Sequence, residues 1–321
     1  MRPDLARAGT LRPRPGGAAN SHEAGAHRPS LVGVVVAGLA SVVAVLAATW
    51  LTAPAPASGL VLPGPVVAAG LPVARVVLDL AAVATMGLSL LPILVGFRRP
   101  AHVEQLLRLA RRAALVTAAV WATAAVISLV LQAAEIRPGE PVTASDVLGY
   151  VSEFGAGQAL MVIAAVAVLY LLVGAVSARF GDKVPAEVRV GIVGLGLLPL
   201  TVAGHAGSLA SQWHDLMMIS VELHVLAASA WAGGLAAMLI LVMPRRGLLA
   251  SAWPRFSQLA GLCLVIVGTS GVITAAAELA ITPGIQLPGA VLTSHYGQLV
   301  LVKTAVVAAL AALGSQIRYR L

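Results

Sequence analysis

Imidazole, thioether and carboxylate groups crowd into a stretch that is otherwise apolar. Residues 212–234 read QWHDLMMISVELHVLAASAWAGG and hold His214, Asp215, Met217, Met218, Glu222 and His224. Ionisable groups at membrane depth are costly, so they face a bundle interior and mark a substrate or ion path. Imidazole and thioether together suit a soft metal, with Cu(I) the foremost candidate. On a helix, Met217, His224 and Trp231 are spaced by seven and share a face, while His214, Met218 and Glu222 are spaced by four and form a neighbouring stripe. Asp215 and Glu222 are candidates to orient a ligating imidazole through its other N–H.

The elements that must carry these groups follow from composition. The chain has 321 residues, 59% hydrophobic and 11% charged, with a mean hydropathy of +0.93. Soluble domains carry about 25% charged residues, so the chain reads as an integral membrane protein. Residues 1–30 are rich in Arg, Pro, Gly and Ala without apolar period and read as a disordered basic cytoplasmic tail. The transmembrane part, 31–321, holds eight apolar segments, about 31–52, 71–96, 113–134, 155–177, 190–211, 217–243, 257–280 and 297–317. Each is long enough to cross roughly 30 Å of hydrocarbon as a helix. The expected fold is all-α: a polytopic membrane bundle of about eight transmembrane helices. Small-residue pairs such as Gly268/Gly271 read as packing positions. The first segment ends in TAPAPASG, which resembles a signal-peptidase site, but its apolar run is long and reads as a retained anchor.

Charge sets the orientation. With the N-terminus in the cytoplasm, 18 of the 21 Lys and Arg fall inside, and 8 of the 13 Asp and Glu fall outside. That bias fixes both termini inside and makes the protein a multi-pass protein of the cytoplasmic membrane. The +8 charge is therefore a topology signal, with no nucleic-acid partner implied and the lipid bilayer as surroundings. This topology brings His205, His214, His224 and His295 to the outer side. Lys303, about two turns into the last segment, is expected to pair with Glu222 or Glu278, and Arg75 with Asp79 four residues on.

Other chemistries find little support. A single cysteine, Cys263, excludes an internal disulfide or CxxC site and reads as a packing residue. No phosphate-binding loop, dinucleotide fingerprint or Gly-x-Ser-x-Gly elbow is present, so no catalytic residues are assigned and the chain reads as a non-enzyme. Taken singly, a histidine at a helix end is an interfacial hydrogen-bonding group and a methionine pair is packing. Haem is an alternative to copper, with His205 and His224 as axial ligands. A third possibility is an assembly protein that presents copper without passing it on.

Two stretches resemble the copper-resistance D (CopD) family. They are HVLAASAWAGGLAAMLI at 224–240 and YGQLVLVKTAVVAALAALGSQIRYR at 296–320, with His224, Trp231, Gly233, Gly234, Tyr296, Gly297 and Lys303 as the matching positions. The resemblance covers about 214–320 and is architectural before that. It implies copper uptake or handling across the cytoplasmic membrane, with an extracytoplasmic copper-binding protein as partner. The composition is similar to that of actinobacterial members, some of which continue into a half resembling a cytochrome oxidase assembly factor, so an oxidase assembly partner is a further implication. On this expectation copper is captured at His214, Met217 and Met218 and passed inward to His205 and His224. Few ligands follow on the inner half of that helix, where only Met238 and Met243 stand out.

Overall fold

The computed structural model describes residues 62–96, 101–180, 184–200, 214–281 and 295–320, with a few more at 40–47 and 292. The proposed tail at 1–30, most of the first apolar segment and His205 lie outside the described residues. Among those described, every regular element is helical: α1 (Pro65–Val95), α2 (Ala101–Ile136), α3 (Ala144–Glu153), α4 (Gly155–Phe180), α5 (Ala186–Leu197), α6 (His214–Ala237), α7 (Arg246–Ile281) and α8 (His295–Arg320). A 3-10 turn at Leu198–Leu200 follows α5, and a π-helical turn at Met238–Val242 extends α6.

Among the described residues, five helical stretches are long and apolar enough to cross a membrane: Pro65–Val95, Val103–Ile136, Gly155–Ser177, Leu216–Val242 and Gly247–Ala277. A shorter apolar stretch, Gly297–Ala309, lies in α8. Within the expected segment at 190–211, the α-helix passes at Leu197 into a 3-10 turn around Pro199, a residue that cannot donate a backbone bond, and 201–211 lie outside the described residues. Elsewhere the helices outrun their apolar segments. Helix α1 begins at Pro65, because proline at the first helical position gives up an N–H that has no intrahelical partner anyway. Helix α2 carries its basic start, Arg108 to Arg112, in the same 36-residue helix as its apolar part.

Helix α1 is the hub. It packs on α2, α5, α6 and α7; α2 packs on α4, α6 on α7, and α8 lies against α7 at the edge. Where α1 meets α6, glycine faces glycine. A Cβ on Gly87 would overlap the Gly233 carbonyl, and one on Gly233 would overlap the Val83 carbonyl. Small residues let membrane helices approach this closely, since packing rather than water expulsion holds them together. Beside this crossing, Gly234 sits against Phe256 of α7. On its other side α1 is tied by hydroxyls: Thr85 Oγ1 to Thr117 Oγ1 of α2 at 2.8 Å, and Ser89 Oγ to the Tyr170 hydroxyl of α4 at 2.8 Å. Trp121 of α2 is fully buried, and α5 passes over it at Gly196, where a Cβ would lie 2.5 Å from the indole.

The ends of α1 are closed by arginines. At its start Arg75 pairs with Asp79 at 3.3 Å, as the spacing predicts, and also donates to the Leu200 carbonyl at 3.2 Å. At its finish Gly96 adopts φ +87°, and the Arg255 guanidinium of α7 donates to the carbonyls of Leu94 and Val95 at 3.4 and 3.2 Å. A side chain at Gly96 would be strained by that φ and would also meet Arg255.

The acidic connection at 135–154, between the apolar segments 113–134 and 155–177, contains α3. Thr143 caps it, and Asp146 returns the bond to the Thr143 backbone N–H, forming a capping box. The helix is sewn to α2 by Tyr150, whose hydroxyl donates to Gln132 at 2.8 Å, and by Arg137–Asp146 at 2.7 Å.

Two outcomes are expected. Gly233→Ala separates α1 from α6 and costs roughly 1–3 kcal/mol or more. The chain's single cysteine is buried, so a thiol-reactive dye reports unfolding directly, and the labelling midpoint of Gly233→Ala in detergent falls well below wild type. Hydrogen bonds from the Thr143 hydroxyl and backbone N–H hold the Asp146 carboxyl below its ordinary value near 3.8. The cap is therefore intact above that value and is lost as pH falls through the lower folded value. In pepsin digests, cutting within 140–154 of wild type relative to Asp146→Asn rises towards one as the medium is acidified.

Candidate functional site

The site grows out of the α6–α7 contact. On α6, Met217, Ser220, His224, Ala227 and Trp231 follow at three- and four-residue steps, so they form one stripe. Met217 and Ser220 are buried, and His224 and Trp231 are half-buried. The facing stripe of α7 consists of Cys263, Val267, Ser270 and Thr274. Ser220 Oγ donates to the Ser270 carbonyl at 2.9 Å and lies 3.2 Å from Thr274 Oγ1.

The imidazole of His224 is held by this network. Its Nδ1 lies 3.0 Å from Ser270 Oγ. Ser270 has one hydroxyl proton, and it goes to the Ile266 carbonyl at 2.5 Å. Ser270 Oγ therefore accepts from His224, which places a proton on Nδ1. In the neutral ring the other nitrogen, Nε2, then keeps its lone pair. The Val267 carbonyl is a further acceptor beside the ring. A neutral imidazole, oriented through one nitrogen and open at the other, has the protonation state that a metal ligand needs.

Two residues central to this arrangement, Ser270 and Thr274, were not apparent among the candidates. Their signal was present: they are four apart, as Ser220 and His224 are. Gly271, expected to serve packing alone, lies against the imidazole, and a Cβ there would come 3.6 Å from Cε1. Alanine is therefore tolerated in ordinary contact, whereas a longer side chain meets the ring.

The remaining candidates distribute as follows. His214 and Asp215 open α6, and Met218 and Glu222 are half-buried on the adjoining stripe. Glu278 lies one turn beyond Thr274 on α7, and His295 opens α8. Since α6, α7 and α8 run up and down in turn, the starts of α6 and α8 and the finish of α7 share one end of the bundle. Lys303, expected to pair with Glu222 or Glu278, is exposed and makes no ion pair with Glu222, while the Glu278 side chain lies outside the described residues. An ammonium there is better solvated at the bundle edge than buried against a half-covered carboxylate. Among the described residues no three His, Cys, Asp or Glu side chains converge as a metal cluster. Met217 and His224, seven residues apart, are separated by about 10 Å along the axis, so they belong to two levels of the interface.

Below His224 the interface turns apolar. Ala227, Cys263 and Val267 form a buried cluster, flanked by Ala228, Ala230 and Trp231. Cys263 is a packing residue in this cluster.

Length, composition and architecture define a multi-pass helical membrane protein whose polar interior is gathered between two of its last helices. Residues 66–215 match the family model described as copper resistance protein D-like, N-terminal domain, and residues 250–321 match copper resistance protein D. Together the matches take in about two thirds of the chain, and it belongs to the copper resistance protein D family. The first match reaches well before the region where the resemblance is visible by eye, and the segment bearing His224 and Gly233 falls between the two. No curated protein and no solved structure matches the chain. Family and fold together make this a copper-resistance-related membrane protein.

Ser270→Ala deprives His224 Nδ1 of its acceptor at a cost of about 1 kcal/mol. In the thiol-labelling assay its midpoint falls modestly, whereas Gly271→Ala stays near wild type and Gly271→Leu drops further than either.

Proposed function

We propose that the chain takes up copper from the outer face of the membrane through α6, with His224 as the pivotal ligand. The observation that carries this is the Ser270 hydroxyl, whose committed proton leaves His224 Nε2 free to bind a soft cation. Copper is the cargo here, and Cu(I) is the form matched by imidazole and thioether donors, which exchange ligands readily. His214, Met217 and Met218 make an upper level at the start of α6, and His224 a lower one about two turns further in. Asp215, Glu222 and Glu278 supply negative charge near the entry and draw cations towards it, while Lys303 sets a positive charge near the lower level. His205 and His295 complete the imidazole complement on this side. An extracytoplasmic copper-binding protein is the natural donor.

A second reading has its own support. The apolar cluster of Ala227, Cys263 and Val267 closes the α6–α7 contact beneath His224. This favours copper held at the outer level and delivered sideways to a partner, such as an oxidase under assembly, over passage along that contact.

Copper measured by ICP-MS in cytosolic and membrane fractions separates the two. Uptake predicts a rise in cytosolic copper on expression of wild type, its loss in His224→Ala at equal protein level, and a reduction of roughly tenfold in affinity for Ser270→Ala. Copper gained by the membrane fraction alone, again lost in His224→Ala, establishes delivery instead. A cytosolic rise of equal size in His224→Ala removes this histidine from the path.

A further inference from the structure

A second set of charged groups lies within the membrane span, on the side of α6 turned away from His224. Asp79 stands fourteen residues after Pro65 and sixteen before Val95, near the middle of α1. It pairs with Arg75 at 3.3 Å, and Arg75 also donates to the carbonyl of Leu200, which ends the 3-10 turn after α5.

The glycine crossing gives the level of these groups against α6. Gly87 meets Gly233, and Leu90 reaches Gly234, so α1 and α6 run in the same direction. At 1.5 Å per residue, Asp79 and Arg75 stand about 12 and 18 Å before the crossing on α1, and Glu222 about 16 Å before it on α6. The three therefore share one band of the membrane. They also share a side. Asp79, Val83 and Gly87 follow at four-residue steps, which puts Asp79 on the face of α1 that meets α6. Glu222, Leu226 and Gly233 follow at steps of four and seven, which puts Glu222 on the face of α6 that meets α1. Between them comes α5, where a Cβ on Gly194 would lie 3.7 Å from Leu226. His224 is about 200° round α6 from Glu222 and faces α7 instead.

The plainest role for Arg75 and Asp79 is a tie between α1 and the end of α5. Two observations argue for more. First, protein does not enclose the pair: the Arg75 and Asp79 side chains keep 36% and 47% of their surface open. Charged groups at this depth face a bundle interior or a water-filled cavity, because hydrocarbon cannot solvate them. Second, Glu222 is half-buried and has neither an ion pair nor a hydrogen bond among the described residues. A carboxylate so placed stays charged only beside water or a cation. One guanidinium against two carboxylates leaves a net negative charge in the band.

We propose that a water-filled vestibule opens from the outer face between α1, α5 and α6, reaches Asp79, and admits hydrated cations in preference to anions. Its floor is the crossing itself, where Val83 and Gly87 close on Gly233. It shares with the copper reading only entry from the outer face. Its measurement needs neither copper nor His224, so each can fail without the other.

The test is thiol labelling of the full-length protein in intact cells, with the single native cysteine removed by Cys263→Ala. Val76→Cys leaves the ion pair in place and lies seven residues before Val83, on the same face. Glu222→Cys repeats the measurement from α6. Val126→Cys is the lipid-facing control: it is 51% exposed on α2 and stands at the level of Val76, given the Thr85–Thr117 and Gly70–Leu131 contacts. Ser152→Cys, exposed on α3, is the water-facing control. The reagents are membrane-impermeant methanethiosulfonates, one cationic (trimethylammonium) and one anionic (sulfonate), which react with the thiolate that forms in water. Val76→Cys and Glu222→Cys are expected to label, and Val126→Cys to stay unlabelled. Relative to Ser152→Cys, the cationic reagent is expected to be favoured several-fold at Val76→Cys, and Glu222→Gln to bring that preference towards one. The proposal is overturned if Val76→Cys and Glu222→Cys label no faster than Val126→Cys, or label only after the cells are opened. It is likewise overturned if no cation preference is seen, or if the preference survives Glu222→Gln in full.

Discussion

Everything in this bundle depends on how closely α1 can approach α6. Gly87 and Gly233 meet backbone to backbone, with no room for a methyl group on either. Lipid tails are as apolar as leucine, so membrane helices gain little from hiding apolar faces from one another. They gain from close van der Waals contact, and glycine facing glycine permits the closest. The crossing fixes the position of α6 relative to the hub helix. Gly234 and Phe256 then seat α7 beside it. The register of α6 against α7, and so the meeting of His224 with Ser270, is downstream of that one approach.

Polar groups inside the bundle follow a consistent rule. Several buried hydroxyls donate to a carbonyl one turn earlier in their own helix, as Thr85, Ser89, Ser177 and Ser270 do, while Ser220 donates across to the Ser270 carbonyl. That bond satisfies the proton where no water can. At Ser89 and Ser270 it also leaves the hydroxyl oxygen as an acceptor towards the neighbouring helix, where Tyr170 or His224 approaches. The same local habit thus builds two hydroxyl ties on α1 and, at Ser270, sets which nitrogen of an imidazole carries the proton. A structural device in the first half of the chain becomes a chemical one in the second.

The arginines show a parallel division of labour. As a set they carry the charge bias from which the orientation of the chain is expected. Individually several have further work: Arg75 bridges Asp79 and the Leu200 carbonyl, Arg255 closes the finish of α1, and four others surround a cavity. The two ends of the bundle are chemically opposite. One carries Met217, Met218, Glu222 and His224 on α6, and the other carries Arg108, Arg111, Arg112 and Arg189.

The sequence by itself determined the class of this protein. Hydropathy and segment length are properties of a one-dimensional string, so the all-α membrane bundle could be read directly. The Arg75–Asp79 pair was equally legible, since four residues along one helix is a fixed distance. Even within the chain some local signals were overshadowed: the Thr143 capping box lay between two apolar segments, and the 3-10 turn at Leu198–Leu200 lay within an apolar run. Tertiary structure alone decided that Ser270 holds His224, that Gly271 borders its ring, that Lys303 leaves Glu222 unpaired with it, and that Arg189 joins three arginines some 80 residues earlier. These meetings depend on the rotation and register of one helix against another. Those two quantities are set by which small residues interlock, and hydropathy, being nearly the same all round these helices, carries no record of them.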